Sequence, residues 1–114
     1  MKNKIIKLKQ PVIANNGNEY DELLVSHDFN NASFTVKLRS SRDHALRVVL
    51  SYDFRALKKE RQENQFFVKD LELLSIKPLL DQLEKQGVVK CSGFAFLNSY
   101  QSPAKEYFVV GHGI

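Results

Sequence analysis

Between Ser33 and Tyr52 the chain alternates apolar and polar side chains with a period of two, interrupted once. Phe34, Val36 and Leu38 alternate with Thr35, Lys37 and Arg39. After the polar stretch Ser40-Ser41-Arg42-Asp43-His44, Leu46, Val48, Leu50 and Tyr52 alternate with Ala45, Arg47, Val49 and Ser51. Successive side chains of a strand point to opposite faces, so the pattern predicts an antiparallel β-hairpin with one buried face. For the two apolar sets to share that face, opposed residue numbers must sum to an even number. A two-residue loop at Arg42-Asp43 breaks the parity by setting Arg39 against Leu46, whereas a three-residue loop, residues 41–43, keeps it. The second register puts Lys37 opposite Arg47 on the outer face, with Arg39 one pair nearer the loop. Like charges directly opposed cost a fraction of about 1 kcal/mol. The outer face is therefore either a solvated surface or one that serves an anionic partner.

The same reasoning extends in both directions. Ile6 and Leu8 alternate with Lys7 and Lys9, predicting an opening strand over 4–9 that continues through Val12 and Ile13; Pro11 suits an edge strand. Asn16-Gly17 tolerates φ > 0 and predicts a hairpin turn, with a return strand from Tyr20 to Val25 and a further turn around residues 27–31. Asp53 is a suitable N-cap for a short basic helix over 54–62, on which Arg55, Lys58 and Lys59 share a face. Aromatic enrichment predicts a strand over 65–73 with Phe67, Leu71 and Leu73 on one side. A helix over about 76–86 follows, capped by Ser75, with Pro78 in its first turn, Ile76, Leu79, Leu80 and Leu83 as its apolar stripe and Gly87 as its stop. Residues 88–97 predict another strand, with Lys90, Ser92, Phe94 and Phe96 on one side and Val89, Cys91, Gly93 and Ala95 on the other. A last strand spans 106–110. The expected fold class is α+β: a mostly antiparallel β-sheet of six or seven strands with one packed helix and the short basic one.

Composition narrows the chemistry. At 114 residues, 43% hydrophobic and 26% charged, the chain is expected to be one globular domain. One cysteine permits no internal disulfide, and no apolar run approaches the roughly 18 residues that span a bilayer. A lysine-containing start without a long apolar run speaks against a secretory signal, so a cytoplasmic location and no membrane partner are expected. The net charge of +4 is unevenly spread. Residues 1–15 carry four lysines and no acid, residues 16–36 carry four acids and no Lys or Arg, and residues 37–61 carry eight cations against Asp43, Asp53 and Glu60. Such polarisation attracts nucleic acid or an acidic protein surface.

The run Ile6-x-Leu8-Lys9-x-Pro11-Val12, followed by Gly17-x-x-Tyr20-x-Glu22-Leu23, resembles the opening of the small tail assembly chaperones of Mu-like and P2-like phages. The resemblance implies a phage or mobile-element origin and a non-enzymatic helper that binds a tape measure protein during tail building. It covers residues 6–23. Downstream that family turns largely helical, whereas the next stretch here reads as strongly β.

No catalytic set assembles from the remaining residues. Ser26-His27-Asp28 contains triad residue types, but neighbours on a strand point to alternate faces and cannot hydrogen-bond in series. Three scattered histidines and one cysteine lack zinc spacing, and Gly111-x-Gly113 lacks the helix a phosphate loop needs. Cys91, flanked by apolar residues, reads as a core thiol. Residues 75–110 have the order of a recognition helix and wing, but a winged helix needs another helix where 65–73 reads as a strand. Phe94 and Phe96 beside Lys90 offer the nearest approach to a base-stacking sheet, and core burial is the expected fate of both. The expectation is a small binding protein without enzymatic activity, cofactor or metal. Its expected binding residues are Lys37, Arg39, Arg42, Arg47, Arg55, Lys58 and Lys59, docked on an acidic protein or nucleoprotein. Direct DNA or RNA binding by the same residues is the alternative.

Overall fold

Alternating segments joined by short turns fold as a meander, because each strand finds its nearest partner in its neighbour. The computed structural model describes residues 2–28, 33–53, 64–97 and 102–110. Among them are β1 (Lys2–Ile13), β2 (Glu19–Asp28), β3 (Ser33–Arg39), β4 (Arg47–Asp53), β5 (Gln65–Lys69), α1 (Asp70–Lys85), β6 (Val89–Leu97) and β7 (Ser102–Val109). The α+β class holds, with every strand pairing antiparallel, but the strands divide into two sheets ordered β1-β2-β3-β4 and β5-β7-β6. The short helix expected over 54–62 lies outside the described residues.

In the first hairpin Gly17 alone of the Asn-Gly pair uses positive φ, at +90°. Its N–H donates to Ala14 O at 2.9 Å, and Ala14 N–H donates to Asn18 O at 2.9 Å. At Pro11, which has no N–H, the β1–β2 ladder jumps from Lys7↔Glu22 to Val12↔Tyr20. The helix supplies bonds to this part of β1. Gln82 accepts from Ile13 N–H at 2.9 Å and donates to Ile13 O at 2.8 Å, and Gln86 donates to Gln10 O at 3.0 Å.

The β3–β4 hairpin corrects the expected register. Arg39, not Lys37, lies opposite Arg47, and Lys37 faces Val49. From Arg39↔Arg47 to Lys37↔Val49 the opposed numbers sum to an even number, as expected, but the loop runs from Ser40 to Leu46. Ser40 N–H donates to Leu46 O at 3.0 Å, Leu46 N–H to Asp43 O at 2.9 Å, and Asp43 Oδ1 accepts from Ala45 N–H at 3.0 Å. These local bonds favour the longer loop. A bulge follows: Lys37 opposes Val49 while Val36 opposes Ser51, so Leu50 is the extra residue. Beyond it the facing of β4 inverts. Ser51 turns inward (4% exposed) and Tyr52 outward (49%), overturning the expectation that Tyr52 continues the face of Leu50.

The strand expected over 65–73 stops at Lys69. Asp70 and Glu72 stand in the first turn of α1, where carboxylates favour the positive helix end. Leu73 joins Ile76, Leu80 and Leu83 at helical spacing and packs on the core, while Leu71 is 90% exposed instead of inward. Ser75 is therefore no cap; its hydroxyl donates to Glu72 O at 2.9 Å. Pro78 sits inside the helix, where it cannot donate to the Leu74 carbonyl. The stop at Gly87 is as expected: φ is +79°, Gly87 N–H donates to Glu84 O and Val88 N–H to Leu83 O, closing a Schellman motif.

In β6 a second bulge at Ser92, beside Gly93 at φ +132°, separates Cys91↔Tyr107 from Gly93↔Glu106. Phe94 therefore opposes Lys105 on the side of Cys91, not of Lys90, and its expected burial is overturned: it is 71% exposed, with Lys105 Nζ 5.9 Å from its ring centre. One core joins Ile6, Leu23, Val36 and Leu38 of the larger sheet to Leu79, Leu80 and Leu83 of α1 and to Phe66, Val68, Tyr107 and Val109 of the smaller sheet. Phe66 and Tyr107 stack at 5.4 Å. Full burial of one such leucine contributes about 1.5–3 kcal/mol.

Candidate binding face

Opposed residues of neighbouring strands share a face, so the registers of β1–β4 lay out the outer surface of the larger sheet as three rows. Asn3, Ser26, Thr35 and Tyr52 form a polar row ending in an aromatic ring. Ile5, Leu24, Lys37 and Val49 form the middle row, aliphatic but for its lysine. Lys7, Glu22, Arg39 and Arg47 form a charged row next to the Ser40–Leu46 loop. With strands about 4.8 Å apart, each row spans roughly 14 Å.

Accessibility is greatest on the edge strands. Ile5 is 49% exposed on β1, and Val49 and Tyr52 are 51% and 49% exposed on β4. Lys7 and Arg47 are exposed, Leu24 and Lys37 half-buried, and Thr35 and Glu22 buried at the centre. Glu22 is held by Arg39, whose Nε and Nη2 donate to Oε1 at 3.1 and 3.0 Å. That contact turns Arg39 away from Arg47, relieving the like-charge opposition that the register creates. Among the described residues, Lys7, Lys37 and Arg47 make no ion pair.

Arg42 is exposed on the loop beyond the charged row, in a segment tethered to β2. Ser41 N–H donates to Asp21 Oδ1 at 2.7 Å and its hydroxyl donates to Oδ2. Those two bonds hold the Asp21 carboxyl below its ordinary value. On the side of β4 away from β3 lies a cleft of about 400 Å³, lined by Val49, Tyr52, Phe67, Ile76, Lys69 and Glu72 among others. Ser51 forms part of this lining, and its hydroxyl donates to Phe67 O at 2.9 Å, joining the two sheets.

The fold thus brings Lys37, Arg39 and Arg47 onto one face, with Arg42 at its end. Arg55, Lys58 and Lys59 lie outside the described residues. Two participants escape a reading of the hairpin by itself. Lys7 and Glu22 join the face through β1 and β2, and the alternation of Lys7 with Ile6 and Leu8 is the signal that reveals Lys7. No protein-family model, curated protein or solved structure matches the chain. Among the described residues no cluster of His, Cys, Asp and Glu could hold a metal ion, and no helix is long and apolar enough to cross a membrane.

Proposed function

We propose that this chain is a non-enzymatic binding protein whose outer β1–β4 face docks on an acidic protein or nucleoprotein. The observation that carries the reading is the face itself. Lys7, Lys37 and Arg47, unpaired among the described residues, sit beside half-exposed Ile5 and Val49. Cations raise encounter rates and select acidic partners, while apolar area supplies the affinity that screened surface charges do not. A tail assembly helper, as residues 6–23 suggest by resemblance, is one form of this role, as is an inhibitor or accessory subunit in the cytoplasm.

The test is retrieval of partners by the wild type and by the Lys37→Glu/Arg47→Glu variant, before and after nuclease treatment. Partners held by the wild type through nuclease treatment and lost by the variant are the expected result. Loss of all binding on nuclease treatment moves the assignment to direct nucleic-acid contact, whose affinity falls steeply with salt. Equal retention by both proteins refutes the face as the binding surface.

A further inference from the structure

The pattern within the face narrows the partner, on the reading that the face is a docking surface. We infer that its occupant is an acidic amphipathic helix of another protein, laid along the Ile5–Leu24–Lys37–Val49 row with its carboxylates on the side of Lys7, Arg39 and Arg47.

Four features of the face lead there. First, the middle row is aliphatic at three of its four positions, and its two ends, Ile5 and Val49, are each about half exposed. A phosphate backbone gains nothing from such a row, whereas a helix stripe buries it. The row's roughly 14 Å matches about ten helical residues at 1.5 Å each, so partner positions i, i+3 or i+4, and i+10 or i+11 fall over Ile5, Leu24 and Val49. Second, the flanks differ. Lys7, Arg39 and Arg47 line one side while Asn3, Ser26 and Thr35 line the other. The partner's acids are therefore required along one edge of its apolar stripe, with one more reaching Lys37. Third, Tyr52 is the sole aromatic in the three rows for stacking bases. Fourth, a second copy of this chain apposed through the same face sets cation against cation.

The cleft beside Val49 and Tyr52 gives the helix a polarity. Its apolar lining from Leu50, Phe67 and Ile76 suits one large side chain at the end of the stripe that crosses β4.

The chain contains no tryptophan, so a peptide tryptophan reports binding without background. The probes are four synthetic ligands. One is a helical 14-residue peptide with three leucines at i, i+4 and i+11, a terminal tryptophan and glutamates along one flank. The second replaces its leucines by serine, the third its glutamates by lysine, and the fourth is a dye-labelled single-stranded DNA 14-mer. The expected result is saturable binding of the first peptide, at least about tenfold tighter than the serine or lysine version. Val49→Asp should weaken it by about tenfold and Lys37→Glu comparably, with each variant's fold verified by circular dichroism. If the serine peptide or the DNA binds as tightly as the leucine peptide and Lys37→Glu still abolishes it, the helix inference is overturned while the basic docking face stands. If no probe binds, or binding ignores both substitutions, the helix inference and the docking face fall together.

Discussion

The Glu22–Arg39 contact makes Arg39 a structural charge on this face, and its energetics follow from its geometry. The guanidinium donates twice to one carboxylate oxygen, at 3.0 and 3.1 Å, with side-chain exposures of 17% and 8% for Arg39 and Glu22. At that separation the gross Coulomb attraction is about 5 kcal/mol for an effective dielectric constant of about 20, and desolvating both groups offsets much of it. Hydrogen bonds to charged groups contribute about 1.5–3 kcal/mol net, so the coupling energy should fall in that range. Arg39→Met leaves a buried carboxylate without its cation and should cost about 3 kcal/mol. Glu22→Gln keeps an acceptor oxygen and leaves the more accessible partner behind, so about 1 kcal/mol is expected. The assay is urea denaturation at pH 7 of the wild type, both single variants and the double variant, in low salt and in 0.5 M salt. The partly buried pair should retain most of its coupling in high salt, where exposed pairs are screened. A coupling below about 0.5 kcal/mol in low salt, or one abolished by salt, refutes a structural role for Arg39.

Three further outcomes follow from single contacts. Gln82→Ala removes both bonds to Ile13 and should lower stability by about 1–2 kcal/mol, with faster amide exchange at Ile13; unchanged exchange there contradicts the helix-to-strand clamp. The Tyr107 hydroxyl is buried without a hydrogen-bond partner among the described residues, so Tyr107→Phe should leave stability equal or raise it by about 1 kcal/mol in urea. Burial first, then Cys91, Glu84 and Asp81, raises that hydroxyl's folded pKa. Its contribution is thus present below about pH 10 and lost as pH rises further, and the phenylalanine variant should lose less stability there. The Asp21 carboxyl is depressed by Ser41, so its contribution is present above about pH 4 and lost as pH falls through the lower folded value. Asp21→Asn should flatten that part of the urea midpoint measured from pH 2 to 6, and an unchanged slope counts against the tether.

How much of this was legible in the sequence depends on what marks each feature. Alternation at residues 34–39 and 46–50 exposes strands because one face of each is buried, and the order of the meander follows from the brevity of its first turn. The bulges at Leu50 and Ser92 leave no such mark. An extra residue inverts the facing of everything beyond it, so Tyr52 and Phe94 emerge on sides that strict alternation denies them. Residues 65–73 satisfy two periods at once: Phe67, Leu71 and Leu73 suit a strand, while Leu73, Ile76, Leu80 and Leu83 suit a helix. Packing resolves the tie, since starting the helix at Asp70 buries Leu73 at the expense of Leu71. The Gln82 clamp joins residues 69 apart, and no local rule exposes it. Of the candidate binding residues, the shared face of Lys37, Arg39 and Arg47 was legible from parity, but Arg39's engagement by Glu22 required the β2–β3 register.

The bulge at Leu50 ties the face to the fold that carries it. Without the extra residue, β4 would keep one parity throughout. Tyr52 would then point toward the core, and Ser51 would point outward and lose its bond to Phe67 O. With it, Leu50 stays buried, a hydroxyl joins β4 to β5, and an aromatic ring turns out beside Val49 at the mouth of the cleft. The joint between the sheets and the aromatic end of the proposed docking face are therefore two consequences of one local irregularity. Bulges are over-represented at sheet edges, where they re-aim side chains and disrupt the ladder. Among the described residues β4 is an edge strand, and its irregular ladder makes it a poor template for another strand. For the proposed docking face, this directs a partner to the side chains of the sheet rather than to its backbone, which is the approach a helix makes and an added strand does not.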